Sequence, residues 1–176
     1  MKRESVGVAA GILAAMLIGG CAKGPAEPGR FASAKDGFSI AFPPDWERQE
    51  GLMGSAVNAR SPAEGEADPF RENVTVVVER IPPGMALATY VDLNLANLQK
   101  VLAEGEAVEA ADATIGGHPA RRIVYTLAIG KLRVRNAVYL LVSGGRGYAV
   151  TCSALPETFD RYEERFAEVV GTLRLK

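Results

Sequence analysis

The sequence predicts an α+β fold with a mainly antiparallel sheet and two principal helices. Three observations carry this. Asn73 to Arg80 (NVTVVVER) is dominated by β-branched residues, which suit a pleated, half-buried surface. Two later segments instead repeat their apolar residues at steps of three and four, the period of a helix with one buried stripe. Ile129-Gly130-Lys131-Leu132 then joins two alternating runs through a two-residue turn, so strands pair there as hairpins rather than through crossovers.

Taken in order, residues 21–35 (CAKGPAEPGRFASAK) are rich in Gly, Ala and Pro and read as a flexible tether, with the folded domain starting at residue 36 and running to 176. After an Asp36-Gly37 turn, Phe38, Ile40 and Phe42 alternate with small residues as one face of a strand, which Pro43-Pro44 stops. Trp46, the only tryptophan, is a core or rim anchor. Gly51 to Arg60 is a weakly patterned second strand or hairpin arm, and Ser61 to Arg71 a polar loop. In the valine strand, Val74, Val76 and Val78 share one face, with Thr75, Val77 and Glu79 on the other.

Past the Pro82-Pro83-Gly84 break, Leu87, Val91, Leu95, Leu98 and Leu102 define a helix over 86–103, ending before Gly105. Four strands follow: Glu106 to Ile115, Pro119 to Ile129, Leu132 to Val142 and Tyr148 to Ala154, with turns at Gly116-Gly117, Gly130-Lys131 and Gly144 to Gly147. Gly at the first central position of Gly130-Lys131 selects a type II′ turn. Pro156 suits a first helical turn. Phe159, Tyr162, Phe166, Val169/Val170 and Leu173 form the stripe of the last helix.

The N-terminus has a different character. Lys2 and Arg3 precede an apolar run from Val6 to Ile18, within the roughly 7–15 residues of an export signal core and short of the roughly 20 needed to span a bilayer. Leu17-Ile18-Gly19-Gly20-Cys21 resembles the lipobox of bacterial lipoproteins: an aliphatic residue three before the cysteine, small residues, then Cys. That resemblance implies a signal peptide over 1–20, cleavage before Cys21, a diacylglycerol thioether on Cys21 and acylation (palmitate) of the new amino group. Two or more chains hold a protein stably to a membrane. It places the domain outside the cytoplasm, in the cell envelope. In Gram-negative sorting an Asp after the cysteine retains a lipoprotein at the inner membrane. Ala22 stands there instead, which favours the outer membrane facing the periplasm.

Removing residues 1–20 takes Lys2, Arg3 and Glu4 with it, so 20 basic and 21 acidic residues become 18 and 20. This balance is wrong for a nucleic-acid partner, which calls for a basic domain. With Cys21 committed to lipid, Cys152 is single and cannot form an intramolecular disulfide; its apolar strand neighbours predict burial.

The order of motifs is similar to that of the PsbP-like/DcrB-like family of secreted and lipid-anchored domains. The residues that carry the resemblance are Asp36-Gly37-Phe38-Ser39-Ile40-Ala41-Phe42-Pro43 followed by Trp46, and Phe70-Arg71-Glu72-Asn73-Val74. Further on they are Gly117-His118-Pro119-Ala120-Arg121 before the strand carrying Tyr125, Tyr148-Ala149-Val150-Thr151-Cys152, and Phe159, Asp160, Tyr162 and Phe166. The resemblance covers residues 36–175 and implies an αβα sandwich with a central, mainly antiparallel sheet. It implies no shared enzymatic activity: members are accessory, assembly or unassigned proteins. Some assist photosystem II, and no residue here carries that role over.

Catalytic chemistry finds little support. His118 is the only histidine, there is no Gly-x-Ser-x-Gly elbow, and a histidine-based zinc site wants more ligands. Glu64, Glu66 and Asp68 lack the spacing of a calcium loop. Gly144-Gly145-Arg146-Gly147 has no strand-to-helix context or following lysine of a phosphate loop. The expectation is a non-enzyme without cofactor or metal: a lipid-anchored domain that binds an envelope protein or aids assembly. A hydrolase would need a nucleophile–base pair that the sequence does not offer.

An alternative rests on the hairpin. Its turn sets Ala128 opposite Arg133, Thr126 opposite Arg135 and Arg122 opposite Tyr139, so Arg122, Arg133, Arg135 and Tyr139 share a face. Planar guanidinia suit a carboxylate, phosphate or glycan, making this the expected anionic-ligand site. The competing reading is a solvated or helix-edge face paired with Glu79, Glu106 or Glu109.

Overall fold

The structure, a computed structural model, describes residues 29–102 and 108–176. The signal segment, Cys21, and the helix stop and strand start expected at Gly105 and Glu106 lie outside the described residues. The strands are β1 (Arg30–Ser33), β2 (Phe38–Ala41), β3 (Glu47–Glu50), β4 (Val57–Arg60) and β5 (Asn73–Arg80). Helix α1 (Leu87–Gln99) leads to β6 (Val108–Ile115), β7 (His118–Ile129), β8 (Leu132–Ser143) and β9 (Arg146–Ala154). Helix α2 (Pro156–Gly171) and β10 (Arg174–Leu175) close the chain.

Seven strands form one antiparallel sheet in the order β3-β4-β5-β9-β8-β7-β6. The last four are a meander into which β5 inserts at the β9 edge. The turns explain the meander. Gly116-Gly117 and Gly144-Gly145 all have positive φ, as type I′ turns require. At Gly130-Lys131 only Gly130 has positive φ, at 62°, which fits the type II′ turn. A second sheet, β1-β2-β10, is also antiparallel.

The layers follow from the two faces of β5. Val74 and Val76 point to the main core, where Phe38, Ile40, Trp46, Phe159, Phe166 and Leu173 meet them. This layer is α2 and the small sheet side by side. On the opposite face α1 sets Tyr90 and Val91 against Ile123 and Leu140. The result is α+β with a helix on either side of the main sheet.

Three expectations need correction. The tether drawn over 21–35 is too long: residues 30–33 form β1, because Phe31 is buried against Phe38, with ring centroids 5.7 Å apart. The last helix stops short of Leu173: α2 ends at Gly171, and the chain continues into β10, which pairs with β2 in the small sheet. The strand or hairpin arm expected over 51–60 is shorter: only β4, from Val57, is strand, and it is the arm of a hairpin whose other strand, β3, ends at Glu50 before a turn at Leu52–Gly54.

Candidate functional site

The hairpin register is the one that the turn chemistry predicts: Ala128 faces Arg133, Thr126 faces Arg135 and Arg122 faces Tyr139. The four residues therefore share a face, and α2 lies on it. Arg122 Nη2 donates to Glu163 Oε1 at 2.7 Å. Burial pushes the Tyr139 phenol above the usual tyrosine range, while the adjacent Arg122 pulls the other way. Arg135 sits with its guanidinium carbon 5.0 Å from the centroid of Phe159, a cation–π contact. Arg133 lines an open cavity of about 620 Å³ with Thr126, Lys131, Leu155, Pro156 and Glu157.

Helix α2 thus divides the cluster. Arg122 and Tyr139 engage its middle, Arg135 its first aromatic residue, and Arg133 the cavity at the turn end. The carboxylate that meets Arg122 is on α2, not one of the three sheet or loop glutamates expected. Glu79 instead accepts from Tyr90 on the other side of the sheet at 2.8 Å, and Glu106 lies outside the described residues. An ion pair this exposed contributes about 0–1 kcal/mol.

The other candidates fall into structural roles. Cys152 is fully buried, and burial pushes its thiol well above the ordinary range, so it is not a thiolate nucleophile. Glu64 clamps Arg161 with both oxygens, at 2.8 and 2.9 Å, and accepts from Tyr162. Asp68 accepts the main-chain N–H groups of Glu64 and Phe70, holding the loop closed. His118 starts β7 opposite Ile115. Among the described residues no group of three or more His, Cys, Asp or Glu is placed to hold a metal ion.

Two features escaped the sequence. Glu72 is a buried carboxylate, 2 % exposed, that accepts from the hydroxyls of Ser61 at 3.1 Å and Thr158 at 2.6 Å. The phenylalanine and arginine before it gave no sign of this. The second is a cleft of about 670 Å³ between β1 and the β3–β4 corner, lined by residues including Arg30, Ala32, Arg48, Glu50, Ser55 and Ala56. Only the edge positions of β1 and β3 could have pointed to it, and β1 itself was not foreseen.

The fold therefore defines an α+β domain with helices on both sides of an antiparallel sheet. Among its described residues no helix is long and apolar enough to cross a membrane. Residues 27–175 match the family model described as PsbP, and the chain belongs to that family.

Solved structures agree on the fold. Cyanobacterial PsbP (CyanoP) from Synechocystis sp. PCC 6803 is similar at a TM-score of 0.61 and 16 % identity, over 90 % of this chain and 99 % of that one. PA94 from Pseudomonas aeruginosa, described as a putative regulator, gives 0.59 and 18 %, over 78 % and 91 %. LpqN of Mycobacterium tuberculosis, described as involved in cell envelope biogenesis, gives 0.62 and 14 %, over 79 % and 83 %. Among curated proteins none matches this chain.

Proposed function

We propose that this protein is a lipid-anchored, non-catalytic PsbP-family domain of the cell envelope that binds a protein partner or aids assembly. The observation that carries the reading is the lipobox-like Leu17 to Cys21, which ends six residues before the family match begins at residue 27. The likeness to LpqN supports an envelope role at the level of fold. The buried thiol of Cys152 and the committed carboxylates of Glu64 and Asp68 support the absence of catalysis.

In cells, Cys21→Ser should move the protein from the membrane fraction to the soluble one and end labelling by a fatty-acid probe. Unchanged membrane retention would overturn the anchor. The partner should appear as a discrete crosslinked species in intact cells that carry the anchored form.

The cavity at Arg133 favours one alternative, a binder of small anions. Inorganic phosphate or a dicarboxylate should then raise the melting temperature, and the double substitution Arg133→Ala, Arg135→Ala should abolish that rise. A shift that survives both substitutions rejects the site.

A further inference from the structure

Among the described residues β1 is an edge strand of the small sheet. Phe42 N–H donates to Gly29 C=O, and β1 runs antiparallel to β2 with Phe31 opposite Ile40 and Ser33 opposite Phe38. Hydrogen-bonded pairs alternate along such a ladder, so Phe31 and Ser33 use their main-chain groups on β2. The main-chain N–H and C=O of Arg30 and Ala32 therefore point away from β2. The other edge of β2 confirms the parity: Lys176 N–H donates to Gly37 C=O, which gives Ser39 to β10.

These outward groups border the cleft of about 670 Å³. Its other wall is β3, the edge strand of the large sheet, whose four residues are all exposed. Arg48 pairs with Ala59 and Glu50 with Val57, both core residues on the side of the small sheet, so the Arg48 and Glu50 side chains stand on that side too. Arg48 Nη1 reaches the Gly29 carbonyl at 3.2 Å, at the start of β1. A strand laid along β1 would thus find main-chain partners on one side. Beneath it would lie one cation and one anion two residues apart.

We propose that β1 receives an extended segment of a partner protein as a fourth strand of the small sheet. That segment carries an acidic and a basic side chain at alternate positions, the acid over Arg48 and the base over Glu50. This deepens the partner-binding reading and rests on it. Main-chain pairing supplies affinity and alternate side chains supply selectivity, the usual division in strand addition. A second copy of this chain fits less well, because the cleft's charged lining carries more cations (Arg30, Lys35 and Arg48) than anions (Asp36 and Glu50), and two such linings repel.

The test uses the purified full chain in detergent and the synthetic peptide Thr-Ser-Asp-Val-Lys-Ser-Thr, with Thr-Ser-Lys-Val-Lys-Ser-Thr as comparison. Ala32 N–H lies outside the β1–β2 ladder, so Ala32→Pro removes a partner's hydrogen bond without removing one of the protein's own. Ala32→Pro should weaken the first peptide about tenfold, Ala32→Ser should not, and binding should slow amide exchange at Ala32. Arg48→Glu leaves the main chain untouched and should reverse the preference between the two peptides, which keeps the proposal testable if the proline variant does not fold. No peptide binding, or equal binding by the wild type, Ala32→Pro and Arg48→Glu, overturns it.

In intact cells the two readings separate. Crosslinks lost in Ala32→Pro support the edge. Crosslinks unchanged in Ala32→Pro leave a partner but overturn the edge as its seat. No crosslinks in any variant overturns the partner. A concentration-dependent dimer that Ala32→Pro dissolves would assign the edge to a second copy and overturn the partner segment.

Discussion

Replacing Gly147 with alanine should destabilise the domain by about 1–3 kcal/mol, the usual cost of forcing an atom into a packed interior. Gly147 lies in β9, opposite Glu79 of β5 and Val142 of β8. A Cβ there would stand 2.5 Å from two ring carbons of Tyr90 and 2.7 Å from its hydroxyl oxygen. The missing side chain is the slot that receives the Tyr90 ring. Tyr90 is almost wholly buried and donates to Glu79 at 2.8 Å. Burial and that carboxylate hold its phenol well above the usual range, so it remains the donor. The pair fixes α1 to the β5–β9 region, while Val91 fixes it near Ile123 and Leu140. Urea unfolding measures the loss, and a double-mutant cycle assigns it. In a Tyr90→Ala background, Gly147→Ala should cost little, because the colliding ring is gone. Equal costs in both backgrounds would place the effect elsewhere.

The two sides of the large sheet are therefore held by different means. On the α1 side the interface is one small apolar patch plus a polar pin. On the α2 side the core is continuous from Phe31 of β1 to Leu173 after α2, and aromatic rings link its parts: Trp46 and Tyr162 each pack on Phe166, and Phe166 on Phe159. The three-stranded sheet belongs to this stronger side through Phe31, Phe38 and Ile40. A rigid core under β1 is what an exposed edge needs if it is to offer main-chain groups in a fixed direction.

Much of this was legible, and what was not has physical causes. The β7–β8 register could be read because a two-residue turn leaves one pairing and the alternation agrees with it. The stripe of α2 could be read because Phe159, Phe166, Val169 and Val170 do face the core. β1 could not: Arg-Phe-Ala-Ser offers one large apolar residue and follows two prolines, and only tertiary packing of Phe31 makes it a strand. β10 is two residues long and pairs with a strand more than 130 positions earlier, which no local pattern records. Gly147 was grouped with the turn before it, whereas the turn is Gly144-Gly145 and Gly147 is strand. The arginine face shows the division most clearly. Its residues share a face as the pairing requires, yet which of them meet Glu163, Phe159 or the cavity depends on where α2 docks.

The largest loss is expected at Glu72. Glu72→Ala should destabilise the protein by about 2–4 kcal/mol, combining the lost side-chain volume with two buried hydrogen bonds. Its carboxylate ties three elements: Ser61 follows β4, Glu72 precedes β5, and Thr158 is in the first turn of α2. The main chain adds Ser61 N–H to Glu72 C=O at 2.8 Å. Leu155, at the start of α2, provides no side-chain cap, and the Glu72 carboxyl reaches the first helical turn through Thr158. Glu72→Gln keeps the volume and one acceptor and should cost only about 1 kcal/mol. The difference between the two variants, read by urea unfolding, separates the pin from simple bulk. Native-state hydrogen exchange should show the alanine variant opening first at the start of α2, which would also release Phe159 from Arg135. An alanine variant as stable as the wild type, or one that frays elsewhere, would show that α2 is seated by its aromatic residues alone.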